Sequence, residues 1–549
     1  MKGAKLFAQC LVQQGVEYIF GIPGAKIDAL FDALLDTPIK VIVCHHEQNA
    51  AFMAAAYGRL TGKPGVALVT SGPGVSNLVT GLLTATTEGD PIVAIGGNVP
   101  RAMKLKQSHQ GTDNVLLTSA AAKSSIELVM ADNIPEVIDN AFRLAVAPRA
   151  GAVFISIPQD VLTEETSMQQ LSSPSCIRLG AAPQAAIESA AKQIQQAKKP
   201  VFLLGLEATR PENTQAIRAL LKKTHIAAVN TYQAAGTISK ELMDCFVGRV
   251  GLFKNQPGDE LLDSADLVIT VGYGSVEYDP EIWNAKSSQK QIIHIDYIPA
   301  SIHSTYVPSI EVLGDIATSL QQISILLPAR SEVLQSASVK TLQERLQKNI
   351  HAKYTQRGSL IHPLHFIESL RKIVNDQTMV ISDIGTHYMW LAQHFFTNSP
   401  HHLLFSNGQQ TLGVALPWAI ATKMIFPDRK VISISGDGGF YFSAMELETA
   451  VRLNLHFVHC VWCDGTYDMV RQQQLIKYKR DSAVHFGPID HIKFAESFGA
   501  KGLKITHPDE LLPLLNKAFS LPGPVIVEIP IDYADNAHLF KTIYQDIGH

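Results

Sequence analysis

Residues 430–467 read KVISISGDGGFYFSAMELETAVRLNLHFVHCVWCDGTY, and this stretch decides the fold. Val431, Ile432 and Ile434 are β-branched and read as a buried strand. That strand stops at Gly436-Asp437-Gly438-Gly439, a run that only a turn accommodates. Ala444, Leu447, Ala450, Val451 and Leu455 then recur at threes and fours, the period of a helix. A second apolar strand, from Phe457 to Trp462, ends at Asp464. Strand, helix and strand form a βαβ unit, whose crossover leaves the two strands parallel. Asp437 and Asp464 therefore emerge at one carboxyl-terminal sheet edge, where open α/β folds bind ligands. Two carboxylates there, beside a glycine turn that exposes backbone N–H groups, suit a hard divalent cation holding a phosphate ester. A helix-capping Asp437 and a turn-opening Asp464 would account for the same letters.

Working outward, 549 residues at 46% hydrophobic are too many for one core and predict three domains. A net charge of −4 without a basic run argues against nucleic acid as the main partner. The opening MKGAKLFAQCLVQQGVEYIFG is too short and too interrupted for a signal peptide or membrane span. Gln9, Gln13 and Gln14 place it on an amphipathic helix instead. Cys10, Cys44, Cys176, Cys245, Cys460 and Cys463 are scattered, without zinc-ligand spacing and suitable partners. Cys460 and Cys463 form a CxxC, but on a predicted buried strand. Reduced thiols and a cytoplasmic protein are expected.

The first segment, 1–165, alternates strands and helices. VEYIFGIPGAKI (16–27), VIVCHHEQNAAFMAAAYGRLTG (41–62), VALVTSGPGVSNLVTGL (66–82) and PIVAIGG (91–97) predict a parallel sheet with helices on both faces. Glu47 sits where the second strand meets its helix, a favourable place for any acid. Ala50, Ala51 and Ala54 suit a wall that a cofactor or partner packs against, and equally a good helix former. A polar linker, about 166–183, leads to a second α/β segment, 184–335. That segment lacks GxGxxG after its first strand, so the dinucleotide fingerprint is absent. The charged stretch 338–358 reads as a connector to the third segment, 359–549. There Asp383-Ile384-Gly385-Thr386-His387 opens a helix, suiting diphosphate at its N-terminus or an ordinary cap.

GDGG followed 27 residues on by Asp464 and a turn resembles the thiamine diphosphate (ThDP) motif. Cys463-Asp464 departs from the usual pair of asparagines, though aspartate is the better Mg²⁺ ligand. HEQNAAFMAAAYGRLTGKPGVALVTSGPG, SNGQQTLGVALPWAI and CDGTYDMV extend the resemblance over the whole chain, to the catabolic, FAD-independent acetolactate synthases. The resemblance implies three consecutive doubly wound parallel-sheet domains: pyrimidine-binding, central and diphosphate-binding. By it, Asp437, Asp464 and the Thr466 carbonyl hold Mg²⁺. Gly385, Thr386, His387, Gly408, Gln409, Gly436, Gly438, Gly439 and Tyr467 contact the cofactor, and Leu412 props its thiazolium. Glu47 drives the cofactor to its ylide by bonding the aminopyrimidine nitrogen, which needs a carboxyl with a raised pKa. Gln110 and Gln473 handle substrate. The implied reaction adds a hydroxyethyl-ThDP carbanion, formed from pyruvate with loss of CO₂, to a second pyruvate, giving 2-acetolactate for acetoin and butanediol formation. A homodimer or homotetramer with the cofactor at the subunit interface is implied, with no regulatory subunit. NTYQAAGTI (230–238) and GRVGLFKNQPGDELLDSADLVITVGYGSVEYDPEIWN (248–284) resemble the FAD-free, catabolic branch, which implies a central segment without FAD. Alternatives are an FAD-containing anabolic synthase, another ThDP 2-keto acid decarboxylase, or a non-catalytic protein that kept the fold.

Overall fold

The computed structural model describes residues 1–172, 179–285, 290–333 and 336–540. Cys176 and part of the first linker lie outside them. The protein is α/β, with three six-stranded sheets. In the first, β1 (Tyr18–Ile22), β2 (Lys40–Val43), β3 (Gly65–Val69), β4 (Ile92–Asn98), β5 (Ser124–Glu127) and β6 (Ala152–Pro158) lie in the order β2-β1-β3-β4-β6-β5. The central sheet joins β7 (Pro200–Leu204), β8 (Ala227–Thr231), β9 (Phe246–Val250), β10 (Leu267–Val271), β11 (Gln291–Asp296) and β12 (Ile310–Leu313). Its order is β12-β11-β10-β7-β8-β9, so the strand sequence reverses between β7 and β10. The third sheet holds β13 (Met379–Ser382), β14 (Leu403–Leu404), β15 (Val431–Gly436), β16 (Val458–Cys463), β17 (Lys501–Lys504) and β18 (Val525–Pro530), ordered β14-β13-β15-β16-β18-β17.

These strands pair in parallel throughout. Helices cover both faces, which is why β3, β4, β7 and β10 are buried along their whole length and mostly apolar rather than alternating. Counted from its own first strand, the third sheet repeats the order of the first. The duplication is thus a fact of topology that no internal sequence period announces.

The decisive βαβ unit forms, with Gly436 of β15 beside Trp462 of β16. Its crossover differs from the expected single helix. Asp437–Tyr441 and Glu446–Arg452 are separate helices, and Ala444 and Leu455 belong to neither. Tertiary contacts overrule the period there. The Ser443 hydroxyl lies 2.9 Å from Asn49 Oδ1 and 2.5 Å from the Gly413 carbonyl, and a Cβ on Gly413 would stand 2.6 Å from that of Phe442. The strand after it starts one residue later than expected, at Val458.

Two further expectations change. The charged connector forms a helix, Ser336–Ile350, but docks on the central domain through buried Val339, Leu342 and Leu346. Ala51 and Ala54 pack within the chain: Ala51 fills the space over Gly81, and the Ala54 carbonyl lies over Gly65. The Glu47–Thr61 helix thereby wedges between Pro73–Glu88 and the third domain's Ala415–Ile425 helix. Glu446 locks that arrangement by accepting from the His45 and His46 amides and from Asn49 Nδ2.

Candidate active site

At the carboxyl ends of β13, β15 and β16 lies a cavity of about 260 Å³, closed on one side by the Asp468–Tyr478 helix. It brings together Gly385, Thr386, His387, Leu412, Gly436, Asp437, Gly438, Gly439, Asp464, Thr466, Tyr467 and Gln473. Parallel pairing is the cause, because each βα turn of one sheet opens on the same edge.

Asp437 opens its helix and is 3% exposed. Its Oδ2 accepts from the amides of Gly465 (2.8 Å) and Asp464 (3.2 Å), which ties the two acidic turns together. The Thr466 hydroxyl donates to Asp464. Burial raises both carboxyls; Asp464 reaches about 7, with the Asp437 charge contributing. A buried pair of oxygen ligands that repel each other is the donor set that a divalent cation stabilises. The residues therefore fit Mg²⁺.

They also fit a diphosphate. The Thr386–His394 helix has no side-chain cap at its start, leaving that end to a ligand. His387 is 1% exposed, burial holds its ring down at about 3 and hence neutral, and its Nε2 has no partner. Gly438 keeps the turn shallow, since a Cβ there would stand 2.6 Å from the Tyr467 ring.

Two supporting residues, Asp468 and Tyr533, escaped the sequence reading, and a third, Asp383, enters it only as part of the diphosphate turn. Asp468 Oδ2 accepts from the Thr386 hydroxyl (2.8 Å) and Asn536 Nδ2 (2.6 Å), fixing the start of that helix. Asp383, fully buried and raised to about 7 by desolvation, accepts from the amides of Ile384 (2.8 Å), Gly413 (3.0 Å) and Ala415 (3.4 Å). It thereby holds the turn just beyond Leu412. Tyr533 lines the cavity from the segment after β18. An acid ending a strand was the one local signal for Asp383; nothing local marked the others.

Glu47 and Gln110 lie elsewhere, at the edge of the first sheet. The 8%-exposed Glu47 accepts from Asn77 Nδ2 at 2.9 Å and stands over Gly74. Gln110, in the left-handed region at φ 59°, accepts from the Ser71 hydroxyl at 3.3 Å. Neither lines the third-domain cavity of its own chain. Nearby, the Thr70 hydroxyl is buried without a partner. His46 caps the helix through Nδ1, accepting from the Gln48 amide, a structural role.

Gly408 and Gln409 also fall outside the cavity. The Gly408 amide donates to Glu88 and Gln409 Nε2 to Thr87 Oγ1, drawing both toward the first domain. They line a wider cavity, about 840 Å³, shared with the central domain's residues 275–282. Gln410 borders both spaces.

Comparison with known proteins assigns the three sheets. Residues 1–117 match the thiamine pyrophosphate enzyme N-terminal TPP binding domain, 187–323 its central domain, and 383–529 its C-terminal TPP binding domain. The chain is 51% identical to an acetolactate synthase of Bacillus subtilis, over 98% of this chain and 94% of that protein. It is 45% identical to the catabolic acetolactate synthase of Raoultella terrigena, over 99% and 97%. To the acetolactate synthase isozyme 2 large subunit of Escherichia coli it is 29% identical, over 98% and 96%. With full-length relatives at this identity, the chain belongs to the acetolactate synthase family of thiamine pyrophosphate enzymes.

Proposed function

We infer that this chain condenses two pyruvates to 2-acetolactate and CO₂, as a catabolic synthase feeding acetoin and butanediol formation. The observation that carries the reading is the cavity in which Asp437, Asp464 and the unpartnered, neutral His387 face one space at the sheet edge. Thiamine diphosphate, when bound, supplies the carbon nucleophile and the electron sink. Asp437, Asp464 and the Thr466 carbonyl would hold Mg²⁺ and, through it, the diphosphate. Gly385, Thr386 and His387 present a helix start to the same group. Leu412 offers an apolar prop. Glu47 would hold the proton at the aminopyrimidine ring nitrogen, and Gln110 and Gln473 would orient the pyruvate carboxylates.

Glu47 and Gln110 stand apart from the cavity of their own chain, which supports a site completed by a second copy. A homodimer is then the least active unit, and pairing of dimers makes a homotetramer. The reading includes no FAD, no regulatory subunit and a cytoplasmic location. None of the described helices is long and apolar enough to cross a membrane.

The test is a pyruvate assay on purified protein loaded with ThDP and Mg²⁺, without FAD, converting product to acetoin with acid. Acetoin from a colourless sample is expected. Product only after FAD is supplied would move the chain to the anabolic synthases, and acetaldehyde in its place would make it a simple decarboxylase.

A further inference from the structure

The central sheet has the strand reversal at which doubly wound folds bind nucleotides: the crevice beyond the ends of β7 and β10. In such crevices backbone N–H groups at glycine turns receive a phosphate. Here that place is filled. Glu277, 4% exposed, turns its carboxylate into the crevice. Oε2 accepts from the Leu206 amide after β7 (2.8 Å) and from the Thr231 hydroxyl at the end of β8 (2.6 Å). Oε1 accepts from the Gly274 amide after β10 (2.9 Å). Gly205 makes the approach possible, since a Cβ there would stand 2.8 Å from Oε1. Burial pushes the Glu277 carboxyl up to about 7. All three polar neighbours donate to it, which favours the ionised form against that burial. Asp279 and Glu281 line the adjoining wider cavity.

The same residue is coupled to the active cavity. The Glu277 carbonyl accepts from Asn407 Nδ2 at 2.9 Å, and Asn407 Oδ1 accepts from the Tyr388 hydroxyl. Gln410 and Leu412, which line the cavity, follow on the same loop.

We propose that Glu277 is the built-in anion of the central domain. Its carboxylate occupies the donors that a dinucleotide phosphate would take, excluding such a ligand, and it positions the loop carrying Gln410 and Leu412. The inference rests on the FAD-free reading above and names its physical cause.

The test is Glu277→Ala in the ThDP- and Mg²⁺-loaded enzyme. Beyond Cβ, the fragment removed is CH₂–CO₂⁻, the size of acetate. The variant is expected to melt about 5 °C lower or more, with a raised pyruvate KM. Acetate at about 0.1 M, but not chloride at equal ionic strength, should restore both, with wild type in the same salts as reference. Pyrophosphate should bind the variant in calorimetry through the freed donors, in excess over wild type. Glu277→Gln fills the space, so it should melt lower and resist rescue; it decides the matter if the alanine variant does not fold. Melting like wild type for whichever variant folds, or an alanine variant indifferent to acetate and pyrophosphate, would overturn the role of Glu277 while leaving the FAD-free reading intact. Flavin bound stoichiometrically to wild type would overturn that reading itself.

Discussion

Co-expressing two damaged chains tests whether the site is shared between copies. Glu47→Gln keeps its bond from Asn77 and its buried volume, so the first domain should stay folded. Alone it should lower turnover by about 10²–10⁴, the scale of a general acid–base group. Asp437→Ala removes the acceptor for the Gly465 and Asp464 amides. That should cost about 1–3 kcal/mol, within the margin of a folded domain of about 5–15 kcal/mol, while removing one metal ligand. If Glu47 of one copy serves the cavity of the other, a mixed dimer has one site with both residues intact and one with neither. At equal expression about half of the dimers are mixed, so the preparation should recover about a quarter of wild-type activity. The assay is acetoin formation under saturating ThDP and Mg²⁺, with each variant alone as baseline. A mixture no more active than the better single variant would refute the shared site.

Asp383→Asn keeps the shape but turns an NH₂ toward the Gly413 and Ala415 amides. We expect about 1–3 kcal/mol lost, and a higher ThDP concentration for half-activation as the Leu412 turn loosens; unchanged melting and activation would dismiss the residue. His459 lies between the Ser433 and Ser435 hydroxyls, and burial holds its pKa at about 3, below the unfolded value near 6.5. Between those values only the unfolded chain takes up the proton, so stability falls as pH drops below 6.5 and is unaffected above it. At pH 5.5 the loss is about 1.4 kcal/mol, so the melting gap between wild type and His459→Gln should narrow from pH 7.5 to pH 5.5; a constant gap would contradict the assignment. Chelation by EDTA should abolish activity reversibly and leave the melting of the core in place, because the Gly465 and Asp464 amides also hold Asp437. Activity that survives exhaustive chelation would remove the metal from the scheme.

The alternation of apolar strands, glycine turns and periodic helices was legible in the chain because period and turn chemistry are local. So was the meeting of Asp437 with Asp464, since a short crossover between parallel strands leaves one outcome for their ends. The break after Tyr441 was not legible, because Ser443 answers to Asn49 and Gly413 rather than to its own helix. Nor were Asp383 and Asp468, whose worth lies in the amides of Gly413 and Ala415 and the side chains of Thr386 and Asn536. Gly408 and Gln409 carried the right letters, yet Glu88 and Thr87 draw them to a different cavity. Glu277 carries no local signal, because its role exists only where three chain segments close on it. Each of these depends on which distant donor meets a buried acceptor. Packing settles that, because a buried polar group takes whatever partner the fold brings within 3 Å or so.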